Sequence, residues 1–290
     1  MPDADAPDAP ATLVSLGLRT EAWMVERVDA LPDGAVRFSC PREPIYRWGN
    51  LLVVPEAPGP DDLPELEARF DRAFAHLPAV RHRTLTWDDP AGREGAVSAW
   101  SAAGYRPDRN TVRILTPNDL RDPPKTPAGF ALKRVADDAD RRVAADLSAA
   151  EPGDEDPDAF RTLQRGRSEF FRARERSAPD LAGGWFLATV DGEPVGTLGL
   201  YVRGRLGRYQ QVFVAPEHRR AGVASSMVHA AARHGFDEIG AERIVIVAEE
   251  GSAADGLYAR LGFRAAERWV GVALSDRDAR RGRTDPITAR

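Results

Sequence analysis

From residue 130 onward the apolar and polar positions fall into a readable series of elements. Phe130 to Val135 alternates as a half-buried strand does, and Asp137 to Ala149 switches to helical spacing. A charged helix is predicted from Pro157 to Arg176. Asp156 serves as its N-cap, Pro157 takes the first helical position, where a missing N–H costs nothing, and Phe160, Leu163, Phe170 and Phe171 are its apolar residues. Three strands follow: Gly184 to Val190, a turn at Asp191-Gly192, then Pro194 to Val202 and Arg208 to Ala215. Gly222 opens a helix from Val223 to about His234, and Arg243 to Ala248 is apolar and β-branched, as an interior strand is. A short helix, Ser252 to Leu261, stops at Gly262, and Phe263 begins a last strand through about Leu274. The pattern predicts an α/β fold, a mixed sheet flanked by helices.

Upstream, Thr116 to Gly129 combines four prolines with polar turn residues and reads as an extended linker outside any core. The half before it repeats the order of the half after it. Val54-Pro55-Glu56 answers Ala215-Pro216-Glu217, Arg83 answers Arg243, and Trp100-x-x-x-Gly104-Tyr105-Arg106 answers Tyr258-x-x-x-Gly262-Phe263-Arg264, all at offsets of 158 to 161 residues. Matches in one order at nearly one offset point to an internal duplication. The expected organisation is a disordered start (1–11), an N-terminal domain (12–115), the linker (116–129), a C-terminal domain (130–274) and a charged tail (275–290).

The junction of strand and helix at Arg219-Arg220-Ala221-Gly222-Val223-Ala224 has the properties of an anion site. First-turn N–H groups of a helix lack internal partners and point outward with the positive end of the macrodipole. A glycine at 222 admits a positive φ and removes a Cβ from beside the anion, Arg219 and Arg220 add charge, and Ala221, Ala224 and Ser225 keep the approach clear. Gly-x-x-x-x-Gly-Lys-Ser/Thr is absent, and so is a Gly-x-Gly-x-x-Gly after a first strand, so the loop is not that of a P-loop or dinucleotide fold.

Val212 to Ala224 resembles the GNAT superfamily of acyl-CoA N-acyltransferases, whose motif is an apolar strand, a proline, then Arg or Gln-x-x-Gly-x-Gly or Ala. Arg219, Gly222 and Ala224 occupy the three defining positions, and Tyr258-x-x-x-Gly262-Phe263 matches a second signature. With the element order from Phe130 to Leu274, the resemblance covers about half the chain. It implies a tandem GNAT-like fold and acetyl-CoA as co-substrate, with no metal. It also implies a cofactor site built from Phe213, Val214, Arg219 to Ser225 and Ser252. The strand of Phe213 and Val214 would splay from the next strand to bind pantetheine, and Tyr258 would protonate the departing sulfur.

Amine attack on a thioester also needs a base, and here the residues leave alternatives open. Where many members carry a carboxylate the chain reads Tyr209-Gln210-Gln211. Glu249 and Glu250 are candidates that equally read as a solvated pair, a water relay would serve instead, and His218 and His234 read as helix-end residues. Gly251 replaces a frequent Asn, with Ser252 left to cap the last helix. The acceptor is a primary amine on a small molecule or a protein; a non-catalytic CoA sensor is the alternative. In the N-terminal half the corresponding loop, Pro55 to Asp62, is rich in proline, which lacks N–H donors, and in acids, which repel phosphate. That half is expected to be degenerate and to bind no cofactor. Its Tyr46-Arg47-Trp48-Gly49-Asn50 reads either as a crevice lining or as an aromatic core strand.

Composition narrows the partners. A net charge of −5 and a pI near 5.7 argue against a broad nucleic-acid surface. Cys40 is the only cysteine, which excludes an intrachain disulfide and a thiolate zinc site and suits a reducing cytoplasm. No apolar run is long enough to span a membrane, and none of these features decides for or against a homodimer.

Overall fold

The computed structural model describes residues 12–150 and 156–275; the expected disordered start and all but the first residue of the expected tail lie outside them. In chain order come α1 (Leu16–Glu21), β1 (Arg27–Ala30), β2 (Val36–Ser39), β3 (Leu51–Val54), α2 (Leu63–Phe74), β4 (Arg83–Trp87), α3 (Val97–Ser101) and β5 (Arg106–Leu115). Then follow β6 (Phe130–Arg134), α4 (Asp138–Ser148), α5 (Pro157–Ser177), β7 (Leu181–Val190), β8 (Glu193–Arg203) and β9 (Leu206–Val214). The series closes with α6 (Val223–His234), β10 (Arg243–Glu249), α7 (Ala253–Arg260) and β11 (Arg264–Leu274).

The chain divides into two compact units, Arg113–Ala266 and, of the other described residues, 12–112 with 267–275. This differs from a simple cut at the linker. β11 begins in one unit and ends in the other, because its end, Gly271–Leu274, pairs antiparallel with Thr86–Arg83 of β4. β5 crosses the division in the opposite direction. Local periodicity finds a strand but does not say which partner its backbone groups meet.

The unit of residues 12–112 and 267–275 has the strand order β1-β2-β3-β4-β11. β1 and β2 form a hairpin, and β3 runs parallel to β4 with Leu52 opposite Leu85. Leu52, Phe70, Phe74, Trp87 and Trp100 fill its core, the two phenylalanine rings stacked at 4.4 Å. The order β3-α2-β4-α3-β5 repeats as β9-α6-β10-α7-β11, each time around a parallel pair, as the sequence offsets predict. Tyr46 to Asn50 holds a short 3-10 helix, Arg47–Gly49, rather than a strand. Asn50 is fully buried, accepts from Cys40 N at 2.9 Å and donates to the carbonyls of Glu43 and Tyr46, so it serves the fold.

The N-terminus of α1 is held by a carboxylate from far along the chain. Glu267 accepts from Leu16 N (2.8 Å), Gly17 N (3.1 Å) and Ser15 Oγ (2.9 Å), so orphan first-turn donors are satisfied by an anion at the positive helix end. Glu267→Ala should lower stability by about 2–3 kcal/mol, read as a shift of the urea midpoint; an unchanged midpoint would refute this role.

In the unit of Arg113–Ala266 the order is β10-β9-β8-β7-β6, antiparallel except for the parallel pair β9/β10. Leu198, Leu200, Met227, Val228 and Ile244 form its core. Asp156 and Ser252 cap their helices as expected, and Asp137, expected as the first helical residue, is instead a cap. Asp137 accepts from Asp140 N, Asp156 from Asp158 N and Ala159 N, and Ser252 from Asp255 N.

The proline-rich linker starts with a 3-10 turn, Pro117–Asp119, where an extended segment was expected, and it is not detached. Asp119 takes a hydrogen bond from Thr116 Oγ1 and an ion pair from Arg264, and Leu120 packs against the core. Arg121 N donates to Leu261 O at 3.0 Å, His229 lies 3.4 Å from Asp122, and Ser226 Oγ lies 3.2 Å from Thr126 Oγ1. The segment is a strap laid along the ends of α7 and α6. Two glycines give it room. A Cβ on Gly262 (φ +101) would collide with the carbonyl of Asp119, and a Cβ on Gly222 (φ +96) with that of Lys125.

Candidate active site

β9 and β10 start as a regular parallel pair, Leu206 opposite Arg243 through Arg208 opposite Val245, and their pairing ends there. Both strands run on, to Val214 and Glu249, so Tyr209 to Val214 and Ile246 to Glu249 continue without pairing to each other. A β-bulge lies on the opposite edge of β9: Gly199 faces Gln210 and Thr197 faces Phe213, so β9 spends one residue more than β8. Gln211 takes φ +50 there. A bulge bends its strand and re-aims the groups next to it, which frees β9 from β10. Gln211 Nε2 donates to Gln164 Oε1 of α5, so α5 is fastened to the bulge. The amide pair is a site feature that the linear pattern missed; its one trace is two adjacent glutamines interrupting an apolar strand.

At the end of β9 the chain makes the expected turn into α6. Gly222 is the N-cap in the left-handed region, and Arg220 also has a positive φ, +63. The N–H groups of Ala221, Gly222, Val223 and Ala224 make no well-formed hydrogen bond among the described residues, so a row of weakly engaged donors sits at the positive end of a 12-residue helix. That arrangement suits a diphosphate. The two arginines divide the work. Arg219 Nε donates to Val214 O at 3.0 Å and its guanidinium lies 5.7 Å from the centre of the Phe213 ring, so it braces the end of β9, although both arginines are exposed. The missing Cβ of Gly222 leaves space for the strap carbonyl rather than for the anion, a correction to the sequence-based reason for that glycine. Ser225 Oγ donates to Gly222 O at 2.9 Å and Ser252 Oγ caps α7, so both hydroxyls serve the backbone.

Tyr258 projects from α7 and is buried. Its ring and that of Tyr209 both pack on Phe263, at 5.9 and 6.1 Å, and Tyr209 is the first residue past the last paired position of β9. Tyr209 OH donates to Val228 O at 2.6 Å, but the hydroxyl of Tyr258 makes no hydrogen bond to any described residue. Burial alone pushes the Tyr258 phenol well above its usual range, so it keeps its proton at neutral and mildly alkaline pH. Glu249 and Glu250 are exposed at the end of β10, and His234 pairs with Glu238 at 3.0 Å. Gly251 takes φ +73, a conformation that Asn also tolerates, and its N–H lies 3.3 Å from the carboxylate of Asp255.

The corresponding place in the other unit differs in kind. Between β3 and α2, Asp62 Oδ2 accepts from Gly59 N at 2.7 Å, so the loop supplies its own anion. The adjoining cleft of about 420 Å³ is lined by Asp33, Glu56, Asp62 and Glu65, with Arg69 already paired to Asp33 at 2.8 Å. Such a lining repels phosphate.

The family model described as Acetyltransferase (GNAT) family matches residues 145–263, from within α4 to the last residue before β11. No curated protein matches the sequence. Among solved structures, a conserved protein of unknown function from Staphylococcus epidermidis aligns with a TM-score of 0.70 at 11% identity, over 86% of this chain and 93% of that one. A GCN5-related N-acetyltransferase from Kribbella flavida gives 0.59 at 19% identity, over 90% and 96%. A tandem GNAT protein from the clavulanic acid biosynthesis pathway gives 0.51 at 17%, over 74% and 70%. Residues 145–263 are thus similar to the GNAT acetyltransferase family, and the fold is the mixed α/β fold of the solved GNAT structures. Acyl transfer from acyl-CoA is the chemistry of this class. Among the described residues no helix is long and apolar enough to cross a membrane.

Proposed function

We propose that this protein transfers an acetyl group from acetyl-CoA to a primary amine of a small molecule or a protein, within the unit of Arg113–Ala266. The observation that carries the reading is the end of the β9/β10 pairing at Arg208, with the unengaged, protonated hydroxyl of Tyr258 on a ring that shares Phe263 with Tyr209, the next residue of β9. Coenzyme A supplies the thioester. The N–H groups of Ala221 to Ala224 and the side chain of Arg220 hold its diphosphate, and the unpaired edge of β9 through Phe213 and Val214 takes up its amide-bearing arm by strand-like hydrogen bonds. The bulge at Gln211 turns a main-chain donor toward the unpaired side of β9, where an acyl oxygen gains charge during attack. As the amine nitrogen bonds to the carbonyl carbon and the C–S bond breaks, Tyr258 gives its proton to sulfur. The nitrogen sheds its proton to water, which suits glutamines where a carboxylate is absent, and water returns a proton to the Tyr258 phenolate. The unit of 12–112 and 267–275 takes no cofactor in this reading and supports the fold.

Gln210 and Gln211 favour a second reading, a CoA-binding sensor without turnover. Incubation with acetyl-CoA and a panel of primary amines, followed by thiol release and mass spectrometry, separates the two. Acetylated amine appearing with stoichiometric thiol is expected. Thermal stabilisation by CoA with no product from any amine would favour the sensor.

A further inference from the structure

Resting on the cofactor reading above, we propose that Lys125, a strap residue outside the family's cofactor motif, provides a cation for the diphosphate of coenzyme A. The chain holds only two lysines. Lys133 is engaged by Asp140 at 2.7 Å on the exposed start of the domain. Lys125 is exposed, and its ammonium pairs with no described residue. Its position is fixed by the main chain: the carbonyl rests on Gly222, its Cβ lies 3.5 Å from where a Cβ on Gly222 would be, and Ser226 Oγ lies 3.4 Å from the carbonyl oxygen. Thr126 adds its hydroxyl to Ser226 one residue on. The stem of Lys125 therefore starts beside the N-cap of α6, next to the N–H row of Ala221 to Ala224. An ammonium on a flexible four-carbon stem anchored there reaches an anion seated on those donors.

The same geometry explains why a strap is needed. Arg219, although exposed, is tethered through Nε to Val214 O and lies over the Phe213 ring, so Arg220 is the cation of the motif without such a tether. One untethered guanidinium against a diphosphate is a thin complement, and the strap brings a further positive charge from a segment some hundred residues earlier in the chain. It is held there at both ends, by Asp119 with Arg264 and by Thr126 with Ser226.

Lys125→Ala leaves the strap's main-chain anchors in place, so its melting temperature should equal that of the wild type. Calorimetry should then show a roughly 5- to 20-fold weaker affinity for both CoA and 3′-dephospho-CoA, a difference that shrinks at high salt, with Lys125→Arg near the wild type. Lys133→Ala should bind as the wild type does. Unchanged affinity of Lys125→Ala for both ligands would overturn the assignment. A loss seen with CoA but not with 3′-dephospho-CoA would also overturn it, by moving the contact to the 3′-phosphate. If the wild type itself bound neither ligand, the cofactor reading would fail, a result distinct from either of these.

Discussion

Replacing Tyr258 by Phe is expected to lower kcat by about 100-fold or more while leaving CoA affinity and melting temperature at their wild-type values. The separation follows from the environment of the hydroxyl. It makes no hydrogen bond to any described residue, and the ring keeps its contact with Phe263, so removing the oxygen takes nothing from the fold. Burial favours the neutral phenol, and the proton stays in place through the pH range in which the acceptor amine becomes nucleophilic. Wild-type turnover should therefore rise as the amine deprotonates and show no fall near pH 10 attributable to Tyr258. Steady-state rates of Tyr258→Phe within a few-fold of the wild type would return this residue to a purely packing role.

Gly262→Val should destabilise the Arg113–Ala266 unit by about 3 kcal/mol or more. The residue combines φ +101 with a Cβ direction that runs into the carbonyl of Asp119, a backbone atom unable to rotate away. Gly240→Ala is the matching control. Its φ is +87 but nothing lies within 4 Å of its Cβ, so it pays only the left-handed strain, about 1 kcal/mol. Equal shifts of the urea midpoint in Gly262→Ala and Gly240→Ala would show that the strap yields freely and would remove the packing argument for the second motif glycine.

The strap explains the pattern of what was readable. The helix of Pro157, the helix from Val223 to His234 and the interior strand at Arg243 carry caps, prolines and apolar spacing within their own residues, and all three form where local chemistry puts them. The motif residues Gly222, Tyr258 and Gly262 were equally visible, but the reasons for two of them were not. Their glycines answer to carbonyls of Asp119 and Lys125, about a hundred or more residues away, and a proline-rich stretch looks the same in sequence whether it floats or is pinned. The bulge at Gln211 and the end of the β9/β10 pairing were hidden for a related reason: register is a property of two strands, not of one. β11 gives the sharpest case. Its alternation predicts a strand, while only its pairing with β4 shows that residues 271–274 belong with the N-terminal half. An isolated fragment of residues 128–290 loses both the strap and β4, and so is expected to be poorly soluble or inactive.

In the proposed scheme one half of a duplicated chain keeps a cofactor cradle while the other fills its own with Asp62. Calorimetric titration of the intact chain with CoA tests this most directly. One site per chain is predicted, weakened roughly 10-fold or more by Arg220→Ala and unaffected by Asp62→Asn. Two equivalents of CoA per chain, or a single site that Asp62→Asn alters and Arg220→Ala does not, would contradict it.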